Sequence, residues 1–423
     1  MRSLVQDEGA PSARRRVETW RDAAELLQLP TLRQALYDGS HLMDGSLVTL
    51  HGDEHRMRRE LESPVFTLAA VTAFENDVFP TTIPMVLGPQ VAQGEADLAA
   101  IGIEWMLTTA AAAAGIDVDG MDDIRRLADH IRRFAEALVI AHTTRDPDDV
   151  RREAAEALDA FDRDFLTPSI ERRTALLADV DNPTDPRTNV DVLTAVLARG
   201  DGIGLDRDTV LHEIAVYVMA GSNSSTSTLL RSLHLTFEWL REHPEDREAL
   251  VADKGLVQRF VLESLRLHPP TPDMVRQATE TVTTRSGLTI EAGEIVHIDA
   301  EAVNHDTSVF GPDADRFNPY RPASVQARPV GLSFGLGMHQ CMGQRVAGGI
   351  LASAENRRGR PYGLVPAMMH ALLVEDVRPH PTRPPVPTTT HTRPLHWSSY
   401  PVALGPDQIS DQTSDHAPTV GAS

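Results

Sequence analysis

Apolar residues recur at helical spacing along most of the first two thirds of the chain. Residues 94–165 predict several helices, and the clearest amphipathic one is MDDIRRLADHIRRFAEALVIAH. ETWRDAAELLQLPTLRQALYDG predicts a short helical region ending at Gly39, and DEHRMRRELESPVF predicts another that Pro64 limits. DREALVADKGLVQRFVLESLRLHPP predicts two more helices, the second ending before Pro269. This part of the chain is therefore expected to be helical.

A polar run interrupts the longest apolar segment. VMAGSNSSTSTLL, from Val218 to Leu230, separates HEIAVYV from LLRSLHLTFEWL. The whole stretch predicts one helix that starts at a cap at Asp206 or Asp208 and runs to about Glu242. Ser, Thr and Asn compete with the helical backbone for hydrogen bonds, and buried hydroxyls cost free energy unless they are paired. The polar run therefore needs a specific reason.

The pattern changes after Pro270. TETVTTRSGLTIEAGEIVHIDAEAV alternates β-branched and polar residues around Gly287 and Gly293, which predicts short strands in a small sheet. A long, turn-rich coil follows, a helix is expected from Cys341, and the last part is Pro-rich with short strand-like pieces. The pattern predicts a mainly α-helical chain with small β-sheets, which is an α+β fold class.

The composition indicates a soluble globular protein. With 423 residues and 41% hydrophobic residues, the chain can bury a large core. The formal net charge of −21 argues against a general affinity for nucleic acid, because phosphate binding needs clustered Lys and Arg. No apolar run reaches the roughly 18 residues that a membrane span needs, and the amino terminus lacks the apolar core of a secretory signal. We therefore expect a cytoplasmic protein without a membrane span.

Cys341 is the only cysteine, which excludes an intramolecular disulfide. A lone cysteine is either a small buried hydrophobe or a nucleophile or metal ligand. The surrounding FGLGMHQCMG has three glycines that let the backbone approach a flat, bulky group, and free N–H groups at a helix start would stabilise a thiolate. Without a second cysteine or Cys/His pairs at zinc spacing, a four-ligand zinc site is disfavoured. A single thiolate suits haem, which supplies the other ligands of its iron.

FGLGMHQCMG resembles the haem-binding loop of cytochrome P-450 enzymes, whose pattern is F-G-x-G-x-[H/R]-x-C-x-G. The matching positions are Phe334, Gly335, Gly337, His339, Cys341 and Gly343. The resemblance implies the cytochrome P-450 fold, in which a long central helix crosses a haem b held by the cysteine loop, with Cys341 as the axial ligand of the iron.

ESLRLHPP resembles the E-x-x-R helix of the same family, in which Glu263 and Arg266 share one helix face. By itself this spacing also fits an ordinary surface ion pair that contributes little stability. In the family the pair is buried and joined by an arginine that Arg321 of FNPYRP matches, and a buried network would fix the coil behind the haem. The meander also resembles the family, although His305 stands where arginine is more usual.

EHRMRR resembles the H-x-x-x-R segment of the family, which binds the haem propionates. Propionates are buried carboxylates and need cationic partners. The propionate-binding positions implied by the resemblance are His55, Arg59, Arg276 and His339. Arg56 and Arg58 are expected to be solvated charges.

The polar run aligns with the motif A-G-x-[D/E]-T, which faces oxygen in the family and relays protons. Ala220 and Gly221 match the first positions, Ser224 replaces the threonine, and Asn223 replaces the acid. Gly221 is expected to keep space above the iron, and Thr228 and Tyr217 extend the same face. Asn223 has no ionisable group and cannot take up and release a proton at neutral pH. For Ser222, Ser225 and Ser227 we expect hydrogen bonds to carbonyls one turn earlier.

The resemblance covers roughly Ala24 to Leu404 and is strongest from Leu205 to Ala347. We expect one catalytic domain over residues 1–404 and a disordered tail over residues 405–423. The chain before His55 is shorter than the family norm, so the first helix and part of the N-terminal sheet are expected to be missing or rebuilt. ENRRGRPYG, after Ala347, resembles an insertion.

The resemblance implies a bacterial-type monooxygenase that uses O2 and receives electrons from a ferredoxin and ferredoxin reductase. Four arginines could meet that partner as a basic patch, or they could be ordinary solvated charges: Arg345, Arg357, Arg358 and Arg360. The expected pocket segments, which are the loop before His55 and residues 217–228, 272–275 and 388–390, suit a mid-sized hydrophobic substrate of secondary metabolism. Two alternatives stay open: a peroxide-using or rearrangement enzyme, motivated by Asn223, and a haem-binding sensor or inactive relative.

Overall fold

A computed structural model describes residues 15–138, 140, 143–180, 190–351, 360–389 and 397–405. Within these ranges the helices α1 to α16 are Trp20–Leu26, Gly52–Glu62, Leu68–Ala73, Phe79–Gln93, Leu98–Ala114, Gly120–Leu138, Pro147–Phe161, Thr167–Leu177, Val192–Arg199, Arg207–Glu242, Asp246–Ala252, Lys254–Leu267, Ala300–Asn304, Thr307–Phe310, Gln344–Gly348 and Leu364–Val374. The strands β1 to β11 are Arg15–Val17, Leu32–Gln34, Glu95–Asp97, Asp273–Ala278, Val282–Thr283, Thr289–Ile290, Ile295–Asp299, Arg378–Pro379, Val386–Pro387, Trp397–Ser399 and Pro401–Ala403. None of these helices combines the length and the apolar character needed to cross a membrane. The predicted tail lies outside the described residues beyond Gly405.

The long helix α10 is the centre of the molecule. It is continuous from Arg207 to Glu242, and the side chain of Asp206 caps it by accepting a hydrogen bond from Thr209 N, as the sequence predicts. Its first half, up to Met219, packs into one apolar cluster, and its second half, from Leu229, packs into another. The polar run therefore occupies the stretch of α10 between the two apolar cores.

Helix α5 packs against this middle stretch at unusually short distance. A side chain at Gly102 would place its Cβ 2.9 Å from Thr226 Cγ2, and one at Gly221 would place its Cβ 3.0 Å from Ala110 Cβ. Gly221 therefore lets α5 and α10 approach each other. The structure thus gives Gly221 a packing role that the sequence did not predict, and its expected role of keeping space above the iron stays a prediction.

A four-stranded sheet, in the order β1-β7-β4-β2, lies on one side of the molecule. Leu32–Gln34 is a strand rather than part of the predicted helical region, because Leu32 and Gln34 are buried at period two and the strand pairs with β4. Gln34 lies opposite Arg276 in the register, so this pairing fixes the position of Arg276. The predicted strands around Gly287 and Gly293 are confirmed as β5, β6 and β7.

The helix predicted from Cys341 is shorter than expected, because α15 spans only Gln344–Gly348 and the helical direction resumes in α16. The two ends of the intervening segment meet, since Ile350 N donates to Pro361 O at 2.9 Å. Glu75 accepts hydrogen bonds from Tyr362 N at 2.6 Å and Gly363 N at 3.1 Å, and so satisfies donors at the start of α16. Ile350 and Pro361 therefore lie side by side, on the two sides of residues 352–359, which lie outside the described residues.

We predict that Gly102→Ala destabilises the protein by about 1–3 kcal/mol, although alanine normally favours a helix, because the new Cβ collides with Thr226. Urea unfolding measures the loss. The control is Gly88→Ala on the exposed side of α4, where no atom beyond its chain neighbours lies within 4 Å of the new Cβ. A change of less than about 1 kcal/mol is expected there, because Pro89 offsets the helix preference of alanine. Thr226→Ser removes the colliding methyl group and should restore stability to Gly102→Ala. An equal response at both glycines would contradict the packing argument.

Candidate active site

The Cys341 loop is held by main-chain hydrogen bonds. Cys341 N donates to Phe334 O at 2.8 Å, and Gly335 N donates to Leu332 O at 2.7 Å with Gly335 at φ +63°. Gly337, at φ +69°, lies so close to Leu27 O that a Cβ would come within 2.3 Å of it. The glycine at 337 therefore serves the contact with the end of α1 rather than the approach of a flat group.

The thiol of Cys341 is exposed to a cavity of about 710 Å³ and is otherwise enclosed by protein. Burial raises the pKa of the Cys341 thiol, while the N–H groups of Gly343 and Gln344 and the charge of Arg59 act in the opposite direction. The cavity wall includes three arginines and several apolar side chains, among them Arg59, Arg328, Arg345, Phe66, Leu262 and Phe334. Among the described residues, no group of three or more His, Cys, Asp or Glu side chains is placed to hold a metal ion.

The four predicted basic residues lie together beside this loop. The rings of His55 and His339 meet edge to face with centroids 4.6 Å apart, and Arg59 Nη2 donates to Gln340 O at 2.7 Å. Arg276 is close enough for its charge to lower the pKa of His339. Burial and the neighbouring cations lower the pKa of His55 to about 4 and that of His339 to about 3, and burial lowers the pKa of Arg276 to about 10.

The predicted buried network of Glu263, Arg266 and Arg321 is present. Arg266 Nε and Nη2 donate to the two carboxylate oxygens of Glu263 at 2.8 Å each, and Arg321 Nε donates to Glu263 Oε1 at 3.1 Å. Arg266 is fully buried. The sequence analysis missed Asn304, whose carbonyl accepts from Arg266 Nη1 at 2.7 Å and whose side chain binds Leu332 N at 2.8 Å. Asn304 therefore connects the network to the Cys341 loop.

The polar run of α10 has one open face. Ala220 is exposed although Val218 and Met219 beside it are buried, so the helix borders open space here. Ser224 and Ser227 follow Ala220 by four and seven residues and lie on the same face. Both are half-buried. Ser227 was expected only to bond to a carbonyl one turn earlier, and its place on the open face makes it a further candidate. Its signal was the i, i+4, i+7 spacing from Ala220.

Most hydroxyls of the run bond to the helix itself. Ser222 Oγ donates to Val218 O at 2.8 Å, as predicted. Ser224 Oγ donates to Ala220 O and Thr228 Oγ1 donates to Ser224 O, both at 2.7 Å, although both were expected to face oxygen chemistry. Asn223 is half-buried, and its buried Nδ2 has no hydrogen-bond partner within the part of the chain that the structure describes.

Comparison with known proteins identifies the family. The family model described as Cytochrome P450 matches residues 122–350, which is more than half of the 423 residues. The chain belongs to the cytochrome P450 family. As the family assignment implies, it is a cytochrome P450 monooxygenase that binds haem b through a cysteine thiolate.

Two curated relatives are bacterial P450 enzymes. Cyclooctat-9-en-7-ol 5-monooxygenase of Streptomyces melanosporofaciens is 28% identical over 338 residues, covering 72% of this chain and 70% of that enzyme. Cyclomarin C epoxidase CymV of Salinispora arenicola is 28% identical over 310 residues, covering 72% of this chain and 70% of that enzyme. The crystal structure of CalO2 superposes with a TM-score of 0.71 at 19% identity, covering 92% of this chain and 90% of CalO2. This likeness confirms the cytochrome P-450 fold.

The residues beside Cys341 fit a P450 haem. In the described part of the chain four arginines are buried, and Arg58, Arg173 and Arg266 each pair with a carboxylate. The fourth, Arg276, donates only to Gln34 Oε1 at 3.1 Å and to Val275 O at 2.9 Å. His339 Nε2 is buried without a partner among the described residues. A basic cluster that lacks an anion suits a group with two carboxylates, such as haem b.

Two other expectations about this P450 are wrong. Arg58 was expected to be a solvated charge, but it is 4% exposed and pairs with Glu213 at 3.0 Å, whereas Arg56 is exposed as predicted. Arg360 was offered for a basic patch, but it bonds to Gln258 Oε1 and Ile350 O at 2.6 Å each. Arg345 is exposed, and Arg357, Arg358 and Thr390 lie outside the described residues. The sequence analysis also missed His51, whose charge lowers the pKa of both His55 and His339.

We predict that Arg59→Gln weakens haem binding by roughly tenfold to a hundredfold, because it removes a charge-assisted hydrogen bond of about 1.5–3 kcal/mol. Titration of the haem-free protein with haem, followed at the Soret band, measures the affinity. Arg56→Gln on the same helix is the control, since Arg56 pairs only with exposed Asp53 and Glu60 and should have no effect. Equal affinities of the two variants would contradict the assignment of the basic cluster.

Proposed function

We propose that this P450 oxidises a mid-sized hydrophobic molecule of bacterial secondary metabolism, with Cys341 as the axial ligand of its haem iron. The observation that carries the proposal is the placement of the Cys341 thiol on a cavity beside basic residues that lack a carboxylate. Its relatives named cyclooctat-9-en-7-ol 5-monooxygenase and cyclomarin C epoxidase support the class of substrate.

Several side chains of this chain would hold the haem. Arg59 and Arg276 have the charge and position to bind propionates, and the ring N–H groups of His55 and His339 beside them can donate hydrogen bonds. When bound, haem with a thiolate ligand supplies the chemistry that activates O2 and transfers one oxygen atom to the substrate, with two electrons and two protons consumed. Phe334 lines the cavity at Cys341, and Gly335 and Gly343 shape the loop around the thiol. Glu263, Arg266 and Arg321 fix the coil behind that loop.

The open face of α10 would transfer the protons that O2 activation consumes. Ser224 and Ser227 can each donate a hydrogen bond to water beside Ala220, and the hydroxyl of Ser224 exchanges its bond to Ala220 O for a bond to water by rotation. The free Nδ2 of Asn223 can hold a water molecule but cannot release a proton. Gly221 and Thr228 contribute to this stretch through packing and through the bond to Ser224 O.

We further propose that an acidic ferredoxin, reduced by its reductase, delivers the electrons near Cys341. Arg345 is exposed and lines the same cavity as Cys341, together with Arg328 and Arg59. A chain of net charge −21 repels an acidic partner except at such a local basic surface. Arg345 supports this docking position, whereas Arg360 is held by internal hydrogen bonds.

The second candidate is a haem-thiolate enzyme that uses peroxide or rearranges its substrate. Asn223 at the position of the acid favours it, because peroxide already carries the two electrons and two protons that O2 activation requires. Turnover with a ferredoxin system, compared with turnover by hydrogen peroxide alone, separates the two candidates. If turnover with peroxide is much faster than turnover with the ferredoxin system, the second proposal replaces the first.

We predict that the reduced protein with carbon monoxide shows the red-shifted Soret band of a thiolate-ligated haem, and that Cys341→Ser loses it. The control is Ser333→Ala in the same loop, which keeps the thiol and should keep the band. A wild-type protein without this band would contradict the role of Cys341. Binding spectra with a panel of terpenoids, polyketides and aromatic amino acids then test the substrate class.

We predict that Ser224→Ala lowers the fraction of electrons that reach product several-fold and increases the release of hydrogen peroxide, because a donor on the open face is lost. Ser222→Ala is the control, since its buried hydroxyl bonds only to Val218 O and Met219 O. Asn223→Asp should preserve or improve this fraction by restoring an acid. A collapse of activity in Asn223→Asp would count against our interpretation of Asn223.

A further inference from the structure

A buried cluster of ionisable groups lies between α2 and α10 and has no role in the site described above. Arg58 and Glu62 come from α2, and Glu213 and Tyr217 come from α10. Arg58 is 4% exposed, Glu62 is 0% exposed and Glu213 is 1% exposed. Burying charged groups at such depth is costly unless they are paired. The cluster therefore needs a physical explanation.

Two hydrogen bonds and one ion pair connect the four side chains. Arg58 Nη1 donates to Glu213 Oε2 at 3.0 Å and lies 3.9 Å from Glu62 Oε1. Leu47 N donates to Glu213 Oε2 at 2.8 Å. The hydroxyl of Tyr217 donates to Glu62 Oε2 at 2.5 Å. Glu62 Oε1 is buried without a hydrogen-bond partner in the described residues, which makes a full negative charge on Glu62 costly.

The charges in the cluster do not balance unless a proton is present. One guanidinium compensates one carboxylate, and two buried carboxylates beside each other share a proton rather than both ionise. Burial and the charge of Glu213 raise the pKa of Glu62 well above its usual range, and burial raises the pKa of Glu213 to about 7. The carboxyl pair therefore keeps one proton at neutral pH.

Other charged groups face the cluster from the elements around it. Arg59 of α2 acts on Tyr217, and Arg199 of α9 donates to Leu61 O at 3.1 Å. The charge of Arg58 also reaches Asp206 at the start of α10. Of these groups only Arg58 acts directly on the carboxyl pair, and its charge lowers the cost of ionising the pair when the proton leaves.

Tyr217 connects this cluster to the open face of α10. It precedes Ala220 by three residues and Ser224 by seven, so the three lie along one stripe, with Ser224 about 10 Å further along the helix axis. The ring of Tyr217 stacks on Phe66 at 5.8 Å between centroids, and Phe66 lines the cavity at Cys341. Tyr217 is half-buried, whereas the carboxyl pair behind it is fully enclosed.

We propose that Glu62 and Glu213 store a proton, and that Tyr217 passes it to water on the open face of α10. The store supplies the donor that Asn223 cannot provide, and in this respect the inference rests on the proposed function. The three residues reach the reacting atoms only through water, so they are positioning residues. Tyr217 was expected only to extend the face of α10, and no motif pointed to Glu62 or Glu213.

The proton transfer is balanced and involves no electrons. When Glu62 holds its proton on Oε2, that proton lies in the 2.5 Å contact with the oxygen of Tyr217, and the tyrosine O–H turns to water. The O–H bond of Tyr217 then breaks as its proton moves to a water molecule, and the proton of Glu62 Oε2 forms the new O–H bond. Glu62 is left as a carboxylate beside Arg58, and the tyrosine hydroxyl is restored. Between turnovers the carboxyl pair regains its proton from water by the reverse path.

The store is tested on the purified protein without turnover. We expect an infrared band of a protonated carboxyl group at pH 7 that is lost in Glu62→Gln, an isosteric change. Glu60→Gln on the exposed face of α2 is the control and should keep the band. If the wild-type protein lacks the band, or if both Glu62→Gln and Glu213→Gln keep it, the store does not exist.

The relay is tested by O2 consumption of the haem-loaded protein, driven by a plant-type ferredoxin, its reductase and NADPH. Tyr217→Phe keeps the ring on Phe66 and removes only the hydroxyl. We expect about tenfold slower O2 consumption and a larger solvent deuterium isotope effect in Tyr217→Phe. The wild-type rate should fall on the alkaline side of neutrality, where the carboxyl pair loses its last proton because burial and the charge of Glu213 raise the pKa of Glu62, and Tyr217→Phe should lack this dependence. Peroxide-driven oxidation of guaiacol should be unchanged, because peroxide brings its own protons.

Tyr400→Phe is the matched control, since Tyr400 is a buried tyrosine whose hydroxyl lies 3.1 Å from His234 Nδ1, outside the site. A Tyr217→Phe protein that matches Tyr400→Phe in rate, isotope effect and pH profile would overturn the relay. If the wild-type protein consumes no O2 with the ferredoxin system, the result contradicts the proposed O2-dependent function, and the relay is contradicted as well. The infrared experiment would still decide whether the store exists.

Discussion

The division of α10 between two apolar cores is the constraint on which the rest of the structure depends. Leu229 and Leu233 anchor its second half in one core, and Ile214 and Val218 anchor its first half in the other. Because both ends are buried in apolar clusters, the middle of the helix can be polar without losing its position. Close packing of α5 at Gly102 and Gly221 holds that middle stretch from behind. The open face at Ala220 is thereby rigid, which positions donors for chemistry.

Charge compensation distinguishes structural from functional arginines in this protein. Arg266 and Arg58 are buried with carboxylates, so their charges are neutralised inside the protein. Arg276 is buried in the described structure without a carboxylate, and His339 beside it has an unpaired ring nitrogen. A stable protein tolerates a buried positive charge without a carboxylate where a ligand supplies the negative charge. Glu62 and Glu213 show the opposite case. Their two carboxyl groups face one arginine, so the pair holds a proton.

Much of the fold and half of the site follow from sequence patterns. The limits of α10 were predictable, because Asp206 caps one end and Pro244 follows the other. The E-x-x-R spacing places Glu263 and Arg266 on one helix face, and the structure brings Arg321 to them. The strand at Leu32–Gln34 was missed because its three residues are too few to show a period, and only pairing with β4 makes it a strand. The length of α15 was missed because Gly349, at φ +71°, ends the helix, and the hydrogen bond from Ile350 N to Pro361 O holds the chain in that turn.

The sequence by itself determined the chemistry of this protein: a single thiolate on a glycine-shaped loop, basic residues at fixed spacing, and a polar stretch in a long helix without a carboxylate. These features are local, because they depend on residue type and on spacing within one helix or loop. The tertiary structure decided which charges are buried together.

Arg58 was expected at the surface and lies beside Glu213, which is 155 residues away in the chain. Glu62 meets Tyr217 across the same distance in sequence. Burial and partnership of this kind depend on how α2 packs against α10, and neither helix encodes that contact alone.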